Sequence, residues 1–125
     1  MDKKKILIVD DELNIRSLVS KILDRDYIVI ESTNGEEAVD IAKREKPDLI
    51  LMDLMMPKLD GYTACSIIKT EQTTKGIPVV MLTGVDHEFN KKFAQEMGAS
   101  GYITKPFLPQ ELLDIVRNVL INPNH

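Results

Sequence analysis

Four places in this sequence carry side chains able to do chemistry. They are the acidic run Asp10-Asp11-Glu12, the single acid Asp53, the hydroxyl of Thr83 and the amine of Lys105. Each stands at the end of a short apolar run. Carboxylates gathered in one place repel, and such a cluster either keeps a raised pKa or takes a cation. A donor set made only of oxygens favours a hard ion such as Mg²⁺. His87 and His125 show no metal-ligand spacing with each other. An amine and a hydroxyl facing a cation-bound carboxylate make a phosphoryl cradle. There the cation and Lys105 neutralise the equatorial oxygens while a carboxylate oxygen attacks in line. Taken singly, each residue has a plainer reading. The acidic triplet could cap a helix and favour its dipole, Asp53 and Thr83 could be turn residues, and Lys105 could be solvated.

Positioning those groups together is the task of the elements around them. The apolar runs are Ile6–Val9, Ile28–Ile30, Leu49–Met52, Val79–Leu82 and Gly101–Thr104. Several are continuous rather than alternating, the pattern of strands covered on both faces. Between them, helical spacing recurs on Ile15, Leu18, Val19 and Ile22, and then on Ala38, Ile41 and Ala42. It continues on Ala64, Ile67 and Ile68, on Phe89, Phe93 and Met97, and on Leu112, Leu113, Val116, Val119 and Leu120. Punctuation agrees. Asn34-Gly35 precedes the second helix and Pro47 follows it. Gly98 can take the left-handed conformation that ends the fourth, and Pro109 suits the first turn of the fifth.

Strict β-α alternation predicts a single α/β domain over 1–125, with its core at about 4–121. It is a doubly wound parallel sheet with right-handed crossovers. Ligands of such sheets bind beyond the carboxyl ends of the strands, where four of the five predicted strand ends carry the groups above. The second strand end offers only Glu31, Ser32 and Thr33, to which no role is assigned.

Composition narrows the function classes. The chain has 125 residues, 43% hydrophobic and 29% charged, which fits one globular domain rather than a disordered tail. No apolar run approaches the roughly 20 residues of a membrane span, and Met1–Lys5 leads into too short an apolar stretch for a signal peptide. A net charge of -4 with dispersed basic residues argues against a nucleic-acid surface. One cysteine, Cys65, permits no internal disulfide, so a cytoplasmic setting is expected. Cys65 is expected to pack rather than to act in redox chemistry.

The combined motifs resemble the receiver domain of two-component response regulators. They are Ile6-Leu7-Ile8-Val9-Asp10-Asp11-Glu12, then Asp53-Leu54-Met55-Met56-Pro57 with Asp60-Gly61, then Val80-Met81-Leu82-Thr83-Gly84, then Gly98-Ala99 with Tyr102-Ile103-Thr104-Lys105-Pro106-Phe107. The resemblance implies a flavodoxin-like (βα)5 fold with sheet order 2-1-3-4-5. It implies that Asp53 is the phospho-acceptor. Asp11, Asp53 and the backbone carbonyl of Met55 would hold Mg²⁺ directly, Asp10 would act through water, and Mn²⁺ could substitute. Lys105 would pair with the phosphoryl group, in a cis Lys105-Pro106 bond. Thr83 would swing its hydroxyl onto the phosphoryl group, and Tyr102 would rotate inward behind it. Met55 and Val85 occupy positions the family uses to tune hydrolysis, and both are apolar here.

The implied partners are a sensor histidine kinase or phosphotransfer protein, met by the first helix, and a downstream target or fused output domain. The fourth helix, fifth strand and fifth helix would form the output face, with a phosphorylation-dependent dimer through it. No enzyme activity on other substrates is expected. A start at Met1 and a short tail favour a stand-alone receiver. Two other readings remain. A pseudo-receiver would typically lack an acid, the acceptor or the lysine, all kept here. A haloacid-dehalogenase-type phosphatase would carry a second Asp where this chain has Met55, and its acidic pair late in the chain. No G-x-G-x-x-G or G-x-x-x-x-G-K motif supports a nucleotide site.

Overall fold

The apolar runs become strands because helices cover both of their faces. The computed structural model describes residues 2–84, 92 and 95–122. Its elements are β1 (Lys5–Val9), α1 (Leu13–Leu23), β2 (Ile28–Ser32), α2 (Gly35–Glu45), β3 (Leu49–Asp53), α3 (Gly61–Thr70), β4 (Val79–Thr83), β5 (Gly101–Thr104) and α4 (Pro109–Ile121). The last is the fifth helix expected from the sequence. Phe89 and Phe93, which carried the expected fourth helix, lie outside the described residues, as do Val85, His87 and His125.

All strand pairs are parallel and the sheet order is β2-β1-β3-β4-β5, as expected. Alternate side chains divide between two cores. Ile6, Ile8, Leu49, Leu51, Val80, Leu82 and Ile103 pack with Val19 and Leu23 of α1 and Leu112, Val116 and Val119 of α4. Leu7, Val9, Ile50, Met52, Val79 and Met81 pack on the other face with Ala38 and Ala42 of α2 and Ala64 and Ile68 of α3. A strand buried on both sides has no solvent face to keep polar, which is why these runs are continuously apolar. Each fully buried Leu or Ile contributes about 1.5–3 kcal/mol of transfer free energy.

Local signals hold where the sequence places them. Asn34 accepts from the Glu37 N–H and caps α2. Asp60 accepts from the Thr63 N–H and caps α3. Pro109 opens α4, and Glu111 reaches back to the Leu108 N–H at 2.8 Å. Gly98 has φ +92, which a side chain would strain. The polar stretch 70–76 closes α3 onto β4. The Thr74 hydroxyl is buried and donates to the Ile68 carbonyl at 2.7 Å, and Lys69 Nζ donates to the Ile77 carbonyl at 2.9 Å.

Candidate functional site at the carboxyl edge of the sheet

The acidic triplet follows β1 directly. Its plainer reading, a helix cap, is not what the side chains do. Glu12 occupies the N-cap position of α1 without a side-chain cap bond. Instead the Asp10 carboxylate reaches forward and accepts from the Glu12 N–H at 2.9 Å. Carboxylate oxygens of Asp10, Asp11 and Glu12 lie within 4.8 Å of one another. Asp10 is fully buried, whereas Asp11 and Glu12 are exposed. A hard cation approaching from solvent thus meets two exposed carboxylates backed by a buried one. Glu12 belongs to this cluster although it received no individual role from the sequence.

Asp53 is the last residue of β3, only 5% exposed. One reason it sits so firmly is Gly61. A Cβ on Gly61 would lie 2.2 Å from the Asp53 carbonyl oxygen, so α3 starts in backbone contact with the end of β3. Met55, two residues on, is 80% exposed, and its N–H faces Asp53 Oδ1 at 3.4 Å. Burial, then the nearby Asp10 charge, push the Asp53 carboxyl up to about 6, against the opposing pull of Lys105 and the Met55 N–H.

Lys105 comes from the far side of the sheet. It follows β5, two strands from β3 and three from β1, or about 10 and 14 Å at the usual strand spacing of about 4.8 Å. Its ammonium nevertheless lies 2.8 Å from Asp10 Oδ2 and 3.4 Å from Asp53 Oδ1, spanning the end of β4. Burial alone would lower its pKa, but the hydrogen bond to Asp10 and the charges of Asp53 and Asp10 raise it overall. The backbone N–H of Lys105 donates to the Thr83 carbonyl at 2.6 Å, which ties the ends of β4 and β5. The Lys105-Pro106 bond is cis.

Thr83 ends β4 beside Asp53, whose register partner is Leu82, and it is 4% exposed. Tyr102 pairs with Met81 across the β4–β5 ladder and lines a cleft of about 330 Å³ with Ile103, Thr104, Glu111 and Ile115. The sheet therefore brings Asp10, Asp11, Asp53, Thr83 and Lys105 to one edge, with Tyr102 behind on the last strand. Burial also pushes the Cys65 thiol up to about 11, away from any reactive range. Among the described residues no helix is long and apolar enough to cross a membrane.

Two further residues join the site that sequence reading left out. Arg16 of α1 donates through Nη1 to the Asp10 carbonyl at 2.8 Å and through Nε to Glu31 of β2 at 3.0 Å. The available signal was an arginine one turn into the helix that follows the acidic run.

Comparison with known proteins agrees with this geometry. Residues 6–117 match the response regulator receiver domain family. Over 118 residues the chain is 46% identical to the alkaline phosphatase synthesis transcriptional regulatory protein PhoP of Bacillus subtilis, covering 94% of this chain and 48% of that one. The chain spans about half the length of curated relatives it matches. A chemotaxis response regulator of Vibrio cholerae superposes with a TM-score of 0.89 at 33% identity, covering 94% of this chain and 99% of that one. The receiver domain of a sensor histidine kinase from Pseudomonas aeruginosa, solved with magnesium in its active-site cleft, gives a TM-score of 0.89 at 29% identity, covering 97% and 100%. With a family match across most of its length and the family's sheet order, this chain belongs to the response regulator receiver domains of two-component signalling.

Proposed function

We propose that this chain is a phospho-accepting receiver. Asp53 takes a phosphoryl group from the phosphohistidine of a sensor kinase or phosphotransfer protein. The observation that carries the reading is the Lys105 ammonium held between Asp10 and Asp53, with the Asp11 and Glu12 carboxylates clustered on Asp10. An oxygen-only donor set with one buried and two exposed acids suits a hard divalent ion. Asp11, Asp53 and the Met55 carbonyl would hold Mg²⁺ directly, and Asp10 would reach it through water. When bound, the ion supplies positive charge at the phosphoryl oxygens.

A carboxylate oxygen of Asp53 attacks phosphorus as the P–N bond to histidine breaks, and the bonding pair leaves on the imidazole nitrogen. Lys105 follows the new negative charge, turning from the carboxylates to a phosphoryl oxygen. The Thr83 hydroxyl donates to another. Tyr102 then moves inward, and the surface made by β5, α4 and the expected fourth helix changes. Phosphorylation drives this change only as far as it favours the altered state. In hydrolysis, water attacks phosphorus, the P–O bond to Asp53 breaks, and the carboxylate returns. With Met55 exposed and apolar, no acid or amide from that position orients the water.

Partners of the whole protein follow from the same reading. They are a kinase docking near α1, and an output domain or separate target at the β5–α4 face, where a phosphorylation-dependent dimer would also form. The test is amide-shift mapping with Mg²⁺ and beryllofluoride, which mimics the phosphoryl group. Expected shifts centre on Asp53, Thr83, Lys105 and Tyr102 and extend along α4, and Asp53→Asn abolishes them. Shifts confined to residues 10–12 and 53 would overturn the switch. No response in the wild-type chain would overturn the acceptor assignment.

A further inference from the structure

We infer that Arg16 is a positioning residue for the divalent ion, acting through the peptide plane between Asp10 and Asp11. The inference rests on the acidic edge being the cation site proposed above.

Asp10 is held from both sides of its backbone. Its N–H donates to the Ser32 carbonyl of β2 at 3.1 Å. Its carbonyl lies beyond Val9, where the β1–β3 ladder ends, and accepts from Arg16 Nη1 at 2.8 Å. The guanidinium is itself fixed, because its Nε donates to Glu31 Oε1 at 3.0 Å and the side chain is only 13% exposed. The end of β2 thus grips Asp10 twice, once directly and once through the Glu31–Arg16 pair. A peptide unit is planar, so clamping the Asp10 carbonyl also sets the N–H of Asp11 and the direction in which Asp11 leaves the strand. The Asp10 side chain completes the arrangement by accepting from the Glu12 N–H.

Only a guanidinium does this. Its rigid fork presents separate N–H groups to a carboxylate and to a carbonyl at once, whereas a lysine offers one nitrogen at one point. The charge of Arg16 works the other way, since a cation so close to the acidic run repels an incoming Mg²⁺. The two effects predict opposite signs. If Arg16 acts by charge alone, its removal tightens Mg²⁺ binding. If it acts by holding the loop, its removal weakens binding, and outer-sphere partners of metal sites typically count for about 10–100-fold.

The experiment is calorimetric titration of Mg²⁺ into the wild-type chain, Arg16→Met and Arg16→Lys, with amide exchange measured in chelator. Arg16→Met should weaken Mg²⁺ about tenfold. Arg16→Lys, which keeps the charge, should still be weaker than wild type. Without metal, the Glu12 amide should exchange about tenfold faster in both variants, because the turn it closes loses its support. Wild-type or tighter affinity in Arg16→Met, with the Glu12 amide still protected, would overturn the inference. If the Met variant does not fold, the Lys variant decides by the same criteria. Failure of the wild-type chain itself to bind Mg²⁺ would overturn the cation site beneath the inference, an outcome seen with Arg16 intact and so distinct from the others.

Discussion

Asp53→Asn is expected to make the metal-free chain more stable than wild type at pH 7.5, by about 2–3 kcal/mol. The reason is the cost of keeping a buried, ionised Asp53 beside Asp10. Burial and that neighbouring charge push Asp53 from 3.8 up to about 6. Each unit of such a shift corresponds to about 1.4 kcal/mol between the two protonation states. The sign follows from proton linkage. Between pH 4 and 6 the folded chain holds a proton that the unfolded chain has lost, so stability falls as pH rises through this window. Above it the full cost of the ionised group is present, and below about pH 4 it has gone. Asparagine resembles the neutral acid at every pH. The advantage of Asp53→Asn should therefore vanish as pH falls towards 4 and be greatest above 7. Urea midpoints in chelator at several pH values check this. Equal stability at pH 7.5 would mean that Lys105 already compensates the ionised acid. Saturating Mg²⁺ should stabilise the wild-type chain more than the variant, since a ligand that binds only the folded state adds its binding free energy to stability.

Lys105→Ala is expected to act in the opposite direction, destabilising the metal-free chain by about 3 kcal/mol. The Lys105–Asp10 pair joins an ammonium only 16% exposed to a carboxylate with no exposure at all. Removing one member of a buried pair leaves an uncompensated charge, which typically costs about 3–5 kcal/mol. Here the same amine also faces Asp53, so two acids lose their cation together. The lower end of the range is expected because the Asp10 carboxylate keeps its bond from the Glu12 N–H. Mg²⁺ should recover part of the loss by replacing the missing positive charge. The same substitution should slow phosphoryl transfer by about 100-fold or more, the usual effect of removing one preorganised group that meets developing charge. Denaturant midpoints with and without Mg²⁺, together with the rate of adduct formation, separate the two effects. A loss under about 1 kcal/mol would place the pair among solvent-screened ones.

The two predictions describe one trade. The folded chain holds an acid it would rather protonate and a lysine shared between two carboxylates. The buried Asp53 charge costs stability and Lys105 offsets part of that cost; on the proposed function a divalent ion or a phosphoryl group would offset more. Functional sites are where such conflicts are retained.

Much of the frame was legible in the residues. Continuous apolar runs specify strands covered on two faces, and β-α alternation specifies parallel order. Asn34, Gly98 and Pro109 mark helix ends because a side-chain cap, a left-handed φ and a fixed φ are all local properties. Knowing the order of strands, one can place Asp10, Asp53, Thr83 and Lys105 on a single edge. What the sequence does not carry is contact across that edge. Lys105 could be placed near Asp53, but its shorter contact is to Asp10, three strands away. Glu31 looked idle because its role depends on a partner fifteen residues earlier, on a different element. Gly61 was read only as part of a motif, whereas its missing Cβ lets α3 touch the Asp53 backbone. Each of these depends on tertiary distance, which periodicity and punctuation do not encode. Glu12 is a milder case, since it was read with the strand end but its membership of the carboxylate cluster needed the turn geometry.

The central claim is that Asp53 accepts a phosphoryl group. Its most direct test is intact mass after incubation with acetyl phosphate and Mg²⁺, for wild type, Asp53→Asn and a chelated control. The account predicts one labile phosphoryl group on the wild-type chain and none on the variant or the chelated sample. An adduct that persists on Asp53→Asn, or that forms without the divalent ion, would contradict it.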